Sequence, residues 1–195
     1  MKVEDVDLSL IRGSAFVFRT ETQDEEFERL VESIETHGVM QPILLRPKKP
    51  PYQIVAGRRR YEACKKLGLK TIPAIIEDLD DKTTFEVALS ENIQRNQLTP
   101  FEEAKAFQDY LVNYHWGSIT ELAQRINKYP SYIVDRLKLL ELPQEIQDQI
   151  FSGRKISPSH AEEILKLRET GQMVEVAKAV EKEELTRAET QEVVD

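Results

Sequence analysis

The residues with the most chemistry to offer are Gly57-Arg58-Arg59-Arg60, a glycine followed by three guanidinium groups where an apolar stretch gives way to a helical pattern. Tyr52 to Ala56 has the composition of a short buried strand. From Arg58 to Leu67 apolar residues return at helical spacing, until Gly68 stops them. Strand, glycine and helix in that order make an anion site. The first turn of a helix has N–H groups with no internal partner and carries partial positive charge, and glycine lets a ligand approach the backbone closely. Arginine adds a planar fork of donors that matches phosphate oxygens. Taken alone, the three arginines also fit a solvated charged face.

Two further groups belong to the same chemistry. Glu91-Asn92-Ile93-Gln94-Arg95 falls near the end of another helical pattern, and adjacent carboxylate and amide oxygens are hard ligands of the kind that hold Mg²⁺ bridged to phosphate. Polar helix ends are common, so this pair gains meaning only beside a phosphate cradle. Gln41, just before Pro42 at the head of a strand, either points its amide into that crevice or stands exposed in a turn. His37 beside Gly38 reads as a helix end rather than a catalytic base.

A second kind of chemistry lies further on. Ser118 to Ile126, then Asn127-Lys128-Tyr129-Pro130, then Ser131 to Leu140 has the layout of a helix-turn-helix over 118–140. Leu122, Ala123 and Ile126 are expected to pack against Ile133, Val134 and Leu137, with small Ala123 allowing close approach. Asn127 supplies the left-handed conformation at the turn. In that geometry the second helix enters the DNA major groove by its N-terminal part, and Lys128, Ser131, Tyr132, Asp135, Arg136 and Lys138 are the expected exposed contacts. The same layout also serves as two helices of a structural bundle.

The elements that must position these groups divide the chain in two. Residues 24–36 place Phe27, Leu30, Val31 and Ile34 on one helical face, Met40 to Arg46 and Thr71 to Ile76 read as strands, and a helix through Phe85, Ala88, Leu89 and Ile93 closes a mixed α/β domain over 1–97. From Thr99, with Pro100 and Glu102 completing a helix start, the pattern is wholly helical. Helices are expected over 100–114, 118–126, 130–140, 143–151, 157–169 and 171–183, forming a second domain over 98–181. The charged tail 182–195 reads as a frayed helix or disorder unless something packs on it.

Composition bounds the rest. The 195 residues carry a formal net charge of −8, which argues against holding nucleic acid by bulk charge, so any DNA contact is local. No apolar run approaches the roughly 18 residues of a membrane-spanning helix, and the acidic, polar start is unlike a secretory signal, so the chain is expected in the cytoplasm. Cys64, the one cysteine, reads as a core residue, and neither a disulfide framework nor a structural metal cluster is expected.

Taken in order, these segments resemble the ParB family of DNA-segregation proteins. His37-Gly38-Val39-Met40-Gln41-Pro42 is similar to the family's helix end and GLLQP motif, Gly57 to Ala63 to its GERRYRA phosphate motif, and Glu91 to Arg95 to its ENIQR motif. Asn96 to Ala104 resembles the junction NxLxPxEEA, and Leu137 to Pro143 and Ser157 to Ala161 resemble RLLxLP and SxGHA. The resemblance implies an α+β architecture, a small ParB/sulfiredoxin-like domain followed by an all-α helix-turn-helix domain. It implies that the first domain binds CTP with Mg²⁺, through Gln41, Gly57, Arg58, Arg59, Arg60, Glu91, Asn92 and Arg95, and self-associates into a clamp on DNA. It implies an inverted-repeat partition site as DNA partner, His160 near that DNA, a ParA-like ATPase as protein partner, and a nucleoid-associated location.

Departures from the pattern matter. Arg58 stands in place of the family's glutamate and Glu62 in place of an arginine, which leaves hydrolysis of CTP and the choice of base open. Asp135 and Glu162 put carboxylates where members have asparagine and arginine near DNA, so a different DNA sequence is expected. Members also carry a C-terminal dimerisation domain, and nothing after Glu169 is long enough to be one, which suits a truncated or short relative. Other functions share the first domain's fold: a small-molecule kinase, sulfiredoxin (which needs a cysteine in the glycine turn), and a transcription or nucleoid-occlusion factor.

Overall fold

The computed structural model describes residues 2–18, 25–47, 51–95, 98–151 and 156–194. They form two compact units, Met1–Gln97 and Leu98–Asp195.

The first unit is built on a five-stranded sheet. Strands β1 (Val3–Asp7), β2 (Ile11–Ser14), β3 (Ile43–Arg46), β4 (Tyr52–Ala56) and β5 (Thr71–Ile76) are ordered β1-β5-β3-β4-β2. β1 runs antiparallel to β5, β5 parallel to β3, β3 antiparallel to β4, and β4 parallel to β2. β1 and β2, which the sequence pattern leaves unassigned, form the two edges. β1 buries only Val6, too little to give an alternating signal.

Helices α1 (Glu25–His37) and α2 (Arg58–Lys66) share one core with the sheet, in which Phe27, Val31 and Ile34 meet Ile43, Leu45, Ile54, Tyr61, Ala63 and Ile72. Side chains alternate across a strand, so Arg46, one residue after Leu45, points to the other face. There it is 4% exposed and donates to Gln53 Oε1 (2.9 Å), Thr84 Oγ1 (3.1 Å) and the Leu79 carbonyl (3.4 Å), with Asp81 at 2.6 Å. These bonds fix the start of α3 (Asp81–Gln94), which packs on β4 and carries Glu91 and Asn92 in its last turn. Cys64 is fully buried, and burial pushes its thiol pKa up, as suits a core residue.

The second unit is helical. α4 (Pro100–Gln108) opens with a capping box between Thr99 and Glu102 and runs into a wide π turn over Asp109–Asn113, where one continuous helix to 114 was expected. Trp116 stacks on Tyr114 (centroids 4.2 Å apart, 20° between planes) and lies edge-on to Tyr110 at 6.0 Å. α5 (Ile119–Arg125) and α6 (Pro130–Lys138) follow, then α7 (Gln144–Phe151), α8 (Pro158–Ile164), α9 (Thr170–Glu183) and α10 (Arg187–Val194). Phe101, Leu139, Leu142, Ile146, Ala161, Ile164, Ala177 and Val180 close a core of their own.

The tail has its packing partner inside the chain, so the expectation of fraying or disorder over 182–195 does not hold for residues 187–194. Thr186 and Glu189 cap α10, Thr190 is fully buried, and Arg187 reaches Glu163 at 3.1 Å and Glu162 at 3.5 Å on α8. Charge-rich composition hid a helix that Arg187 ties to α8.

Candidate functional site

Gly57 stands between β4 and α2 at φ +96°, a left-handed conformation that side chains resist. A Cβ there would lie 2.6 Å from Ile43 Cγ2 and 3.1 Å from Arg60 Nη2. Only glycine lets the strand turn into the helix with the neighbouring strand so close. The backbone N–H groups at the start of α2 border a cleft of about 330 Å³, lined by Gln41, Gly57, Arg58, Arg59, Arg60, Glu91, Asn92 and Arg95, with Phe16, Val17 and Phe18 among its apolar walls. Every residue expected for the nucleotide site therefore borders one cavity. The sequence pattern missed the aromatic wall, which lies just beyond the edge strand β2. Phe16 and Phe18 stand edge-on to Phe85, at 5.1 and 4.9 Å.

The three arginines divide their work. Arg60 Nη1 donates to the carbonyls of Gln41 (2.7 Å) and Pro42 (2.8 Å), and Nη2 lies 4.0 Å from Glu91 Oε1. Burial lowers the guanidinium pKa, against the pull of Glu91. Arg60 thus braces the 41–42 segment and α3 against α2, a role local sequence does not announce. Arg59 is 3.8 Å from Glu26 on α1, and Arg58 lines the cleft beside it. The exchanged charges Arg58 and Glu62 form no ion pair with each other among the described residues.

Glu91 also pairs with Arg95 at 3.2 Å. Asn92, also in the cleft lining, donates its amide to the Ala88 carbonyl at 2.7 Å. Among the described residues no three His, Cys, Asp or Glu side chains gather as a metal cluster. A divalent ion at Glu91 and Asn92 would complete its shell from phosphate and water, as Mg²⁺ commonly does.

In the second unit α5 and α6 form the expected helix-turn-helix. Ser118 and Glu121 make a capping box, Asn127 takes φ +54°, and Leu122, Ala123, Ile126 and Ile133 are buried. Val134, expected in that packing, is 38% exposed instead, since Ile133 and Leu137 fill the inner face. Lys128, Ser131, Asp135 and Lys138 are exposed on the turn and α6. Tyr129, not anticipated as a contact, is 81% exposed at the head of the same helix.

Two expected contacts need correction. Tyr132 and Arg136 are not freely exposed; they turn toward Glu103 on α4. The Tyr132 hydroxyl donates to Glu103 Oε2 at 2.6 Å and Arg136 Nε donates to the same oxygen at 2.8 Å. Burial and the Glu103 carboxylate push the phenol pKa up to about 12, so it keeps its donor proton. The two carboxylates expected near DNA also have partners, Asp135 with Lys138 at 2.9 Å and Glu162 with Arg187 at 3.5 Å. His160 is half-buried, its Nδ1 accepting the Ser157 N–H at 3.1 Å to cap α8. Asn96 and Gln97 of the junction motif lie outside the described residues.

Residues 1–93 match the model of the ParB N-terminal domain, and residues 96–195 match that of the ParB HTH domain. The chain belongs to the ParB family. Its ParB-type units are similar at 39% identity to a nucleoid occlusion protein from Halalkalibacterium halodurans, over 99% of this chain and 68% of that protein. A nucleoid occlusion protein from Geobacillus sp. (strain WCH70) is 38% identical over the same shares. Among solved structures, the C-terminally truncated chromosome-partitioning protein ParB from Caulobacter crescentus, complexed to the centromeric parS site, matches with TM-score 0.75 and 30% identity over 98% of both chains.

Proposed function

We propose that this ParB-family chain is a sequence-specific DNA-binding protein whose first unit takes a nucleoside triphosphate with Mg²⁺, CTP by resemblance to the family. The observation that carries the DNA half is the likeness over 98% of both chains to a protein solved on its parS site. Lys128, Ser131 and Lys138 would meet DNA from the exposed side of the turn and α6, and Asp135 would accept from a base donor there.

The nucleotide half rests on the Gly57 cradle. Backbone N–H groups at the head of α2, with Arg58 and Arg59, would hold phosphates; Arg60 keeps the Gln41–Pro42 segment and Glu91 in place; Glu91 and Asn92 would hold the Mg²⁺, with Arg95 balancing the carboxylate. Gln41 lines the cleft, its carbonyl accepting from Arg60. When bound, CTP supplies a difference in affinity between open and closed arrangements of the protein, which is what can drive self-association into a clamp. Arg58, a cation where the family carries a carboxylate, offers no general base at that position, so hydrolysis of CTP is expected to differ from that of the family's usual members.

The relatives favour nucleoid occlusion over partition, since the two nucleoid occlusion proteins are 39% and 38% identical and the partition protein 30%. Partition, with an inverted-repeat site and a ParA-like ATPase, is the second reading, favoured by the match over 98% of both chains to a C-terminally truncated partition protein.

Calorimetry with CTP, ATP, GTP and UTP in Mg²⁺ tests the cleft. CTP heat that is lost in Arg59→Ala and Asn92→Ala supports it. Heat with no nucleotide overturns the switch, and ATP preference with phosphoryl transfer to a small molecule brings the kinase forward.

A further inference from the structure

α6 is held from behind by one buried carboxylate. Glu103 on α4 has a side chain only 8% exposed, and Arg136 is 21% exposed beside it, whereas Lys138 on the same helix is 52% exposed. The Tyr132 ring completes the group. The Arg136 guanidinium lies 4.7 Å and Lys128 Nζ 4.9 Å from its centroid, and Phe107 on α4 meets it edge-on at 6.3 Å. A buried carboxylate needs both charge and hydrogen bonds, and Glu103 receives them from two residues one helical turn apart on α6. That geometry fixes the rotation of α6 about its own axis and therefore which side chains it shows to a groove.

We infer that Glu103 is a positioning residue for DNA recognition, and that Arg136 acts through Glu103 and Tyr132 rather than by touching DNA. The inference deepens the DNA-binding reading above and rests on it. A phosphate contact and a positioning contact differ in a measurable way. Each phosphate neutralised by a cation contributes about 0.9 to the slope of log K against log salt, and a residue that only orients the helix contributes nothing to it. Orientation instead changes how well the right sequence is told from the wrong one.

The test uses the full chain and the best duplex that the wild type selects from a random-sequence pool, with a scrambled duplex of equal length as control. Affinities for both are measured over a series of KCl concentrations. Arg136→Ala, Arg136→Lys and Glu103→Gln should each cut the ratio of selected to scrambled affinity by about tenfold or more, on the scale of one mismatched base pair, and leave the salt slope unchanged. Lys138→Ala should lower the slope by about 0.9 with the ratio little changed. Arg136→Lys keeps the charge and loses the Nε donor, so it separates the two roles even where Arg136→Ala fails to fold. A slope reduced by about 0.9 in Arg136→Ala and restored in Arg136→Lys, or wild-type discrimination in Glu103→Gln, would overturn the inference and leave the DNA-binding reading standing. A wild type that selects no sequence would overturn both.

Discussion

Residue by residue, the cleft depends most on Gly57. Alanine there must hold a left-handed backbone, at about 1–2 kcal/mol, and drive a methyl into Ile43, at about 1–3 kcal/mol. Gly57→Ala is expected to destabilise the first unit by about 2–5 kcal/mol and to abolish CTP heat, the first read from urea unfolding and the second from calorimetry. Arg60→Ala should unfasten the Gln41–Pro42 segment, so its loss of nucleotide affinity should exceed that of Arg58→Ala in the same titration. The glycine and the arginines were legible in sequence because they are local: a strand, one turn and a helix between Tyr52 and Lys66. The division among the arginines was not, since Arg60 finds its partners at Gln41, Pro42 and Glu91, brought near only by the sheet and α3. Tyr132 and Arg136 were misjudged for the same reason, as Glu103 lies outside the helix-turn-helix segment altogether.

Among the elements, those with local start signals were readable. Thr99-Pro100 with Glu102, and Ser118 with Glu121, form the reciprocal caps their spacing implies. Thr99→Ala should cost about 1 kcal/mol of second-unit stability, measured by chemical denaturation. The π turn carries no such signal, and α10 reads as a frayed helix or disorder because its charge-rich composition outweighs the Thr186–Glu189 cap, which has the same spacing. α10 is tied to α8 through Glu163, whose carboxyl is held below its ordinary value of 4.5 by hydrogen bonds from Lys166 and Arg187, against the opposing effect of burial. A carboxylate with a depressed folded-state pKa stabilises the fold above its unfolded value and loses that contribution as pH falls through the lowered one. The melting temperature of the second unit should therefore drop as pH falls below the ordinary carboxylate value of 4.5, and Glu163→Gln should flatten that part of the profile.

Across the whole molecule, the boundary near residue 97 separates two units with independent cores. Residues 1–97 and 98–195 expressed apart should each fold, the first retaining nucleotide heat and the second retaining sequence-selective DNA binding. With a net charge of −8, binding to scrambled duplex should be weak and should fade steeply with salt.

The stack at the π turn has a practical consequence for connecting those two halves. Trp116 is the chain's one tryptophan, it stacks on Tyr114, and it belongs to the second unit, while the phosphate cleft belongs to the first. Emission excited selectively at the indole is thus a native optical probe of the helix-turn-helix unit, blind to Tyr52 and Tyr61 of the first unit. Any change in that fluorescence when nucleotide is added records a signal that has crossed from one unit to the other, with no label introduced into either.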